Sequence, residues 1–234
     1  MSIFNTNSVP EPPAHPTGNP QSAVVIGLGR FGLSMATELE ASGVEVLGID
    51  CNPEVVQRAS ALIRHVVRAD ATDKEALAQL AVDEYACGVV TIGGDLAASI
   101  LSASALLTLH CPQVWAKASS VEQGEILNQM GITRVFYPES EMGLRAAHQV
   151  AQSFEDYIDL GHGFALVITS LGPRYCGKTL GELDVRRRDG FSIVAIQSPA
   201  DTWETAHAKT ILSPADRVMV VAPTRIISKI TRRD

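Results

Sequence analysis

The sequence predicts an α/β fold, in which a Rossmann-like doubly wound parallel sheet is followed by a small α+β C-terminal lobe. Between residues 22 and 138, short apolar runs typical of buried strands alternate with helical patterns. The first of these runs leads into the motif G-x-G-x-x-G, which is typical of a strand that turns directly into a helix. After residue 158 the pattern changes to short strands and short helices, which indicates a second module.

The first module contains six predicted strands with helices between them, enough for a complete doubly wound sheet. The strands are residues 24–26, 44–49, 65–69, 88–92, 114–118 and 134–137. Asn52 followed by Pro53 is typical of a helix start, and Thr72 with Glu75 three residues later predicts a capping box. Gly131 is expected to end the last of these helices.

The remaining segments differ in composition. Residues 1–21 are rich in proline and have little to bury, so we expect a disordered tail outside the fold. Residues 139–157 contain one helix that belongs to no further βαβ unit; it could cover the sheet or reach a second protomer. Its predicted apolar face consists of Gly143, Ala147, Val150, Ala151 and Phe154. Residues 158–234 form the small lobe, with predicted strands at 164–168, 192–196 and 217–222.

Composition excludes several functions. The net charge of −7 argues against nucleic acid as the main partner, because a phosphate backbone needs a basic surface. Four cysteines are scattered without metal-ligand spacing, which favours a reduced cytosolic interior and argues against a structural zinc site. The longest uncharged run, residues 96–116, is too polar to span a bilayer, so we expect a soluble protein.

The glycine motif predicts a site for a nucleotide. Gly27 permits the tight turn, Gly29 lets the backbone approach a pyrophosphate, and Gly32 lets the helix pack on the strand. The N-terminus of the new helix presents free N–H groups to a phosphate. Asp50 ends the second strand, eighteen residues after Gly32, where a carboxylate accepts hydrogen bonds from ribose hydroxyls and repels a 2′-phosphate. Adenosine, NAD or ATP therefore fits better than NADP.

Further candidate ligands lie at other strand ends, and each has a structural alternative. Arg30, inside the glycine turn, suggests a ligand with extra phosphate charge, or it faces water as a surface arginine. Asp70 and Thr72 could hold an adenine or ribose edge, or they could end a strand and cap a helix. Lys117, in an otherwise apolar strand, needs either a phosphate or a carboxylate as its partner.

Motifs for catalysis are missing. Residues 172–179 match the P-loop pattern G-x-x-x-x-G-K-[ST], but Pro173 lacks an N–H donor and no later strand supplies a magnesium-binding Asp. We therefore interpret the segment as a polar turn before a short helix capped by Thr179. No Tyr-x-x-x-Lys, G-x-S-x-G or H-E-x-x-H motif occurs. A small NAD-dependent oxidoreductase, or an adenine-nucleotide or redox sensor with another partner, stays as an alternative function.

The motifs together resemble the RCK (regulator of potassium conductance) domain of cytosolic gating subunits of Trk/Ktr-type bacterial potassium transporters. The similar segments are residues 26–32, Asp50, residues 69–72, 92–93, 115–118 and 138–143, with residues 177–180 opening the C-terminal lobe. The resemblance covers residues 22–229. It implies that residues 22–138 are the nucleotide-binding domain, residues 139–157 a crossover and dimerisation helix, and residues 158–234 the C-terminal lobe.

The resemblance implies a regulatory protein and not an enzyme. Members bind ATP, ADP or NAD(H) and assemble as dimers that close into an octameric ring beneath a membrane-embedded potassium channel subunit. Nucleotide exchange changes the ring's shape, so the implied location is the cytoplasm, peripheral on the inner face of the cell membrane. The implied nucleotide-binding residues are Gly27, Leu28, Gly29, Arg30, Phe31, Gly32, Asp50, Asn52, Asp70, Ala71, Thr72, Ile92, Gly93 and Lys117.

The resemblance also implies secondary ligands. Some members hold a divalent cation through an acidic residue near the end of the helix before Gly131; here Asn128 occupies that place, with Glu125 one turn earlier. In some members the second lobe binds a cyclic dinucleotide or cations, and Arg174 and residues 186–188 are the corresponding candidates.

Overall fold

The computed structural model describes residues 21–151, 154–198 and 202–230. They form two compact units, which divide between Pro138 and Glu139. The predicted disordered tail, except for Gln21, lies outside the described residues. No helix among the described residues is both long and apolar enough to cross a membrane.

The first unit is a six-stranded parallel sheet with helices between its strands. Its elements are β1 (Ser22–Ile26), α1 (Arg30–Ala41), β2 (Glu45–Asp50), α2 (Pro53–Ala59), β3 (His65–Arg68), α3 (Lys74–Gln79), β4 (Cys87–Val90), α4 (Leu96–Thr108), β5 (Val114–Lys117), α5 (Val121–Gln129) and β6 (Arg134–Phe136). The strand order is β3-β2-β1-β4-β5-β6, and every pair is parallel. This order confirms the predicted doubly wound fold.

Side chains of β1 supply both faces of this sheet. Val24 and Ile26 enter one core cluster, whereas Ala23 and Val25 enter another. All four are at most 2% exposed. A strand that is buried on both faces reads as a continuous apolar run, which explains why its position was visible in the sequence.

Short polar side chains begin the helices at the carboxyl edge of the sheet. The side chain of Asn52 accepts the N–H of Glu54 at the start of α2, as predicted. The predicted capping box at Thr72 is wrong, because Asp73 caps α3 instead. Thr72 instead donates both its N–H and its hydroxyl to Asp70, in the turn before the helix.

The second unit is a helix followed by a five-stranded antiparallel sheet with short helices. Its elements are α6 (Pro138–Ala151), β7 (Asp156–Gly161), β8 (Phe164–Thr169), α7 (Leu180–Leu183), α8 (Val185–Arg188), β9 (Ser192–Gln197), β10 (Trp203–Thr205), β11 (Arg217–Pro223) and α9 (Thr224–Ile230). The strand order is β10-β9-β11-β8-β7. The small α+β lobe is thus confirmed, with two edge strands, β7 and β10, that the sequence analysis missed.

The predicted apolar face of α6 is wrong in part. Val150 is 90% exposed, and Gly143 and Ala147 are exposed as well. Phe154 is buried, but it lies beyond the end of the helix, in the core of the second unit beside Tyr157. The backbone has joined the sheet by then, since the N–H of Glu155 donates to Ile168. The helical period therefore counted a residue that lies between the helix and β7.

The four cysteines differ in their surroundings. Cys87 and Cys111 are buried and Cys176 is half-buried, whereas Cys51 is exposed. Burial raises the pKa of the Cys87 thiol to about 12, because the low-dielectric core disfavours the thiolate.

The turn between β1 and α1 is the most crowded backbone contact of the first unit. A Cβ at Gly32 would collide with the carbonyl oxygen of Gly27 and the hydroxyl of Thr91. Both obstacles are fixed, since the Thr91 hydroxyl donates to the Gly27 carbonyl at 2.5 Å. Helix α1 can therefore start this close to β1 only with glycine at residue 32.

We expect Gly32→Ala to destabilise the first unit by about 1–3 kcal/mol through overpacking. Urea unfolding followed by Trp115 fluorescence, in a Trp203→Phe background, measures the change in this unit alone. Gly94→Ala is the matched control, because a Cβ there would meet nothing within 4 Å. Equal stability of the two variants would contradict the expectation.

A forked ion pair joins α6 to β7 in the second unit. Arg145 donates through Nε and Nη2 to the two carboxylate oxygens of Asp156, at 2.7 and 2.5 Å. The hydrogen bonds from Arg145 hold the pKa of Asp156 below its usual range. A carboxyl group with a lowered folded-state pKa stabilises the fold above its unfolded pKa, and that stabilisation is lost as the pH falls through the folded pKa.

We expect Asp156→Asn to unfold at lower urea than the wild type at pH 7, with a gap that closes as the pH falls below about 4. Trp203 fluorescence in a Trp115→Phe background follows this unit. Asp159→Asn is the control, because Asp159 is exposed and accepts only a local backbone N–H, from Gly161. A gap that does not change with pH would rule out the ionised pair as its cause.

Candidate functional site

The candidate site lies at the switch point of the sheet. The central strands β1 and β4 are neighbours, and the chain order runs outward in opposite directions from this pair. In a sheet of this kind, ligands bind in the crevice outside the carboxyl ends of the strands at the switch point. The residues predicted to hold a nucleotide lie at the last positions of β2 and β5, in the turns that follow β1, β2, β3 and β4, and in the first turn of α1.

The glycine turn is fixed by hydrogen bonds to neighbouring strands. Gly27 has φ +93°, a backbone conformation that disfavours side chains. Its N–H donates to Ile49 of β2 at 2.8 Å. From the other side, the Thr91 hydroxyl donates to the carbonyls of Ile26 and Gly27, at 3.0 and 2.5 Å. The turn is thus held from both neighbouring strands before any ligand binds.

The N-terminus of α1 is open to an incoming group. Gly29 is the N-cap residue, makes no side-chain cap, and would place a Cβ in open space. The first N–H groups of a helix have no partner within it and attract anions. Arg30 is the first helical residue and is exposed, while the buried Leu28 faces the core. The geometry therefore places one cation and several free donors at the same edge.

Asp50 connects the glycine turn to the next loop. Its Oδ2 accepts the N–H of Leu28 at 2.8 Å, and its Oδ1 accepts the N–H of Asn52 at 2.9 Å. A carboxylate oxygen accepts more than one hydrogen bond, so both oxygens keep capacity for ribose hydroxyls. The side chain of Asn52 is committed to capping α2. Asp50 therefore has a structural role as well as the predicted binding role.

Asp70 and Thr72 form a small polar unit after β3. The Oδ1 of Asp70 accepts the N–H of Thr72 at 2.9 Å and its hydroxyl at 2.7 Å. These bonds lower the pKa of the Asp70 carboxyl, because they favour its ionised form. Ala71 between them is buried in the core, which anchors the loop. Asp70 thus stays an exposed, ionised acceptor at the edge of the sheet.

Lys117, at the end of β5, is buried to a similar extent as the apolar residues of the core. It is 7% exposed, and its Nζ lies 6.0 Å from the ring centroid of Phe31 in α1. Phe31 also packs against Phe136, with ring centroids 5.4 Å apart. A Cβ on Gly93 would come within 2.8 Å of the Lys117 Nζ. Lys117 therefore lies between α1 and the turn after β4. Ile92, in that turn, is half-buried.

Two groups that shape this edge are not among the residues predicted to bind a nucleotide. One is Thr91, whose position as a polar residue at the end of an apolar strand was the available signal. The other is a network in which Gln123 donates to Ser99 at 3.1 Å and accepts the N–H of Ser119 at 2.9 Å. Ser119 in turn donates to the carbonyl of Gly93 at 3.3 Å. No sequence pattern indicated that Gln123 would be buried.

The residues suggested for a divalent cation and for a cyclic dinucleotide do not outline a ligand site in the described part of the chain. Glu125 and Asn128 both lie on the exposed side of α5. No group of three or more His, Cys, Asp or Glu side chains in the described residues could hold a metal ion. In the second unit, Arg174 stacks on the ring of Tyr175, and residues 186–188 are exposed on α8.

The segment that matches the P-loop pattern is a polar turn. Residues 173–175 form a short 3-10 helix, and Thr179 caps the four-residue α7 in a capping box with Glu182. The interpretation as a turn before a short helix is confirmed.

Both units are similar to known protein families. The TrkA-N domain model matches residues 23–138, and the TrkA-C domain model matches residues 164–233. The Ktr system potassium uptake protein A of Vibrio alginolyticus is 33% identical over 208 residues, which are 88% of this chain and 94% of that protein. The Ktr system potassium uptake protein C of Bacillus subtilis is 31% identical over 210 residues, 89% of this chain and 95% of that protein.

A solved structure supports the fold of the first unit. The NAD(P)-binding domain of an exopolyphosphatase-related protein from Archaeoglobus fulgidus has a TM-score of 0.50 and 20% identity, and covers 57% of this chain and 98% of that chain. The resemblance inferred from the motifs is confirmed by the matches of both units. The chain belongs to the family of Ktr-type potassium uptake proteins that combine a TrkA-N domain with a TrkA-C domain.

Proposed function

We propose that this chain is the nucleotide-sensing regulatory subunit of a potassium uptake system. The observation that carries the proposal is the similarity over both units to proteins named for the Ktr potassium uptake system. The geometry of the first unit supports the nucleotide part, since a fixed glycine turn, an open helix N-terminus and Asp50 meet at the switch point.

The proposed ligand is ATP, ADP or NAD(H). Its phosphates lie at the N-terminus of α1, where Arg30 and the free N–H groups neutralise their charge. Asp50 accepts the ribose hydroxyls, and Asp70 with Thr72 holds the adenosine end. A divalent cation near Glu125 and Asn128, and a cyclic dinucleotide in the second lobe near Arg174, are further ligands that this proposal allows.

The proposed mechanism is regulatory, with no bond of the ligand broken. Dimers of the chain close into an octameric ring on a membrane-embedded potassium channel subunit, with α6 as the crossover between lobes and protomers. A ligand shifts the balance between two ring shapes only through its different affinity for them. A switch from mostly closed to mostly open needs about 5.5 kcal/mol in total, so eight sites need less than about 1 kcal/mol each.

Calorimetry with ATP, ADP and NADH, together with light scattering, tests the proposal on the full chain. We expect binding of at least one of these ligands, and a particle whose hydrodynamic radius changes with the ligand without turnover. A monomer that ignores all three nucleotides would contradict the proposal. Steady oxidation of NADH in the presence of small carbonyl compounds would instead indicate an oxidoreductase.

We expect Arg30→Ala to weaken ADP and ATP binding about 10- to 100-fold, the value of a charge-assisted hydrogen bond. Calorimetry measures the change, and restored potassium uptake in a deficient strain reports the consequence. Arg58→Ala is the control, since Arg58 is an exposed arginine in the last turn of α2. If both variants bind as the wild type does, Arg30 contacts no phosphate.

We expect Asp50→Asn to weaken NADH binding and to narrow the preference for NADH over NADPH. The substitution removes the charge that repels a 2′-phosphate and replaces one acceptor of a backbone N–H by a donor. The ratio of the two dissociation constants, measured by NADH and NADPH fluorescence, checks the result. Asp83→Asn, an exposed position before β4, should keep the wild-type ratio. An unchanged ratio in Asp50→Asn would exclude ribose recognition by Asp50.

A further inference from the structure

Arg68 lies beside the ribose-binding position, although the glycine motif does not include it. It is the last residue of β3 and pairs in register with Asp50, the last residue of β2. Paired residues of parallel neighbours project to the same face of a sheet. The Nε of Arg68 donates to the carbonyl oxygen of Cys51 at 3.2 Å. Its guanidinium therefore lies over the loop that follows Asp50, at the carboxyl edge of the sheet.

Arg68 is a neighbour of the two groups proposed to hold the adenosine. Asp50 is on one side, and the polar unit of Asp70 and Thr72 begins two residues further along the chain. Both carboxylates already accept backbone N–H groups, from Leu28 and Asn52 and from Thr72 respectively. Within the described part of the chain, neither carboxylate forms an ion pair with Arg68. The guanidinium therefore makes no direct ion pair with either of these described acids.

The chemistry of the group suits the face of an aromatic ring. A guanidinium is planar and weakly hydrated, and it stacks readily on aromatic systems, including nucleic acid bases. The bond from Nε to Cys51 lies in that plane and leaves its faces uncovered by this contact. Arg68 is exposed, so a ligand can reach it. A 2′-phosphate is the less suitable occupant, because the Asp50 carboxylate next to it would repel a dianion.

We propose that the guanidinium of Arg68 stacks on the base of the bound adenine nucleotide and so sets the preference for ligands with a base. This inference rests on the proposed function, because it adds a base-recognition residue to the same site. Asp50 then holds the sugar, Arg30 the phosphates and Arg68 the ring.

The test compares ADP with ribose 5-diphosphate, which has the same phosphates and sugar but no base. The substitution Arg68→Met in the full chain keeps a long side chain but removes the guanidinium. We expect this variant to bind ADP about fivefold more weakly than the wild type does. The affinity for ribose 5-diphosphate should not change. Arg64→Met is the control, since Arg64 is exposed and lies just before the opposite end of β3.

Each other outcome has a defined meaning. If Arg68→Met weakens both ligands equally, Arg68 only holds the loop or adds charge, and the stacking inference is wrong. If it weakens NADPH more than NADH, Arg68 contacts a 2′-phosphate, and the inference is again wrong. Wild-type protein that binds none of ATP, ADP and NADH would overturn the proposed function itself. Wild-type binding of ADP with an unchanged Arg68→Met variant would overturn only the inference.

Discussion

The hydrogen bonds that fix the glycine turn are the constraint on which the site depends. The carboxylate of Asp50 holds Leu28 from β2, and the hydroxyl of Thr91 holds Gly27 from β4. These two contacts place the N-terminus of α1 at the switch point without a bound ligand. An anion site that is formed in advance costs little reorganisation when it is filled. The edge proposed to bind phosphate is thus a product of sheet topology as much as of the glycine motif.

Further polar contacts join this edge of the sheet to the start of α5. The turn after β4 is linked through Gly93 to Ser119, and from there to the buried side chain of Gln123 at the start of α5. Lys117 is packed against this turn from β5. The turn after β4 and the start of α5 are thus joined by fixed polar contacts. Buried networks of this kind have few alternative arrangements, because each unpaired group costs free energy.

The order of elements could be predicted from the sequence, because it depends on local patterns. The buried strands could be predicted because they are continuous apolar runs. The glycine turn at residues 27–32 and the acidic residue Asp50 could be predicted because the backbone geometry of this fold sets their spacing along the chain. The predictions were wrong or incomplete where contacts between different elements determine the position of a side chain. Thr72 fits the pattern of a helix cap, but Asp73 is the residue that caps α3. Phe154 fits the helical period of α6, but it packs into the core of the second unit. Arg68 carries no local signal, since only strand pairing brings it beside Asp50.

The uneven burial of the cysteines has a chemical consequence at this site. A thiol must ionise to react, and the raised pKa of the buried Cys87 keeps it protonated. Cys51, by contrast, is exposed and stands between Asp50 and Asn52. Electrophiles and maleimide dyes would therefore modify Cys51 first, and the attached group would stand at the mouth of the ribose position. One residue thus provides both a point of vulnerability to alkylation and a place for an optical reporter of occupancy.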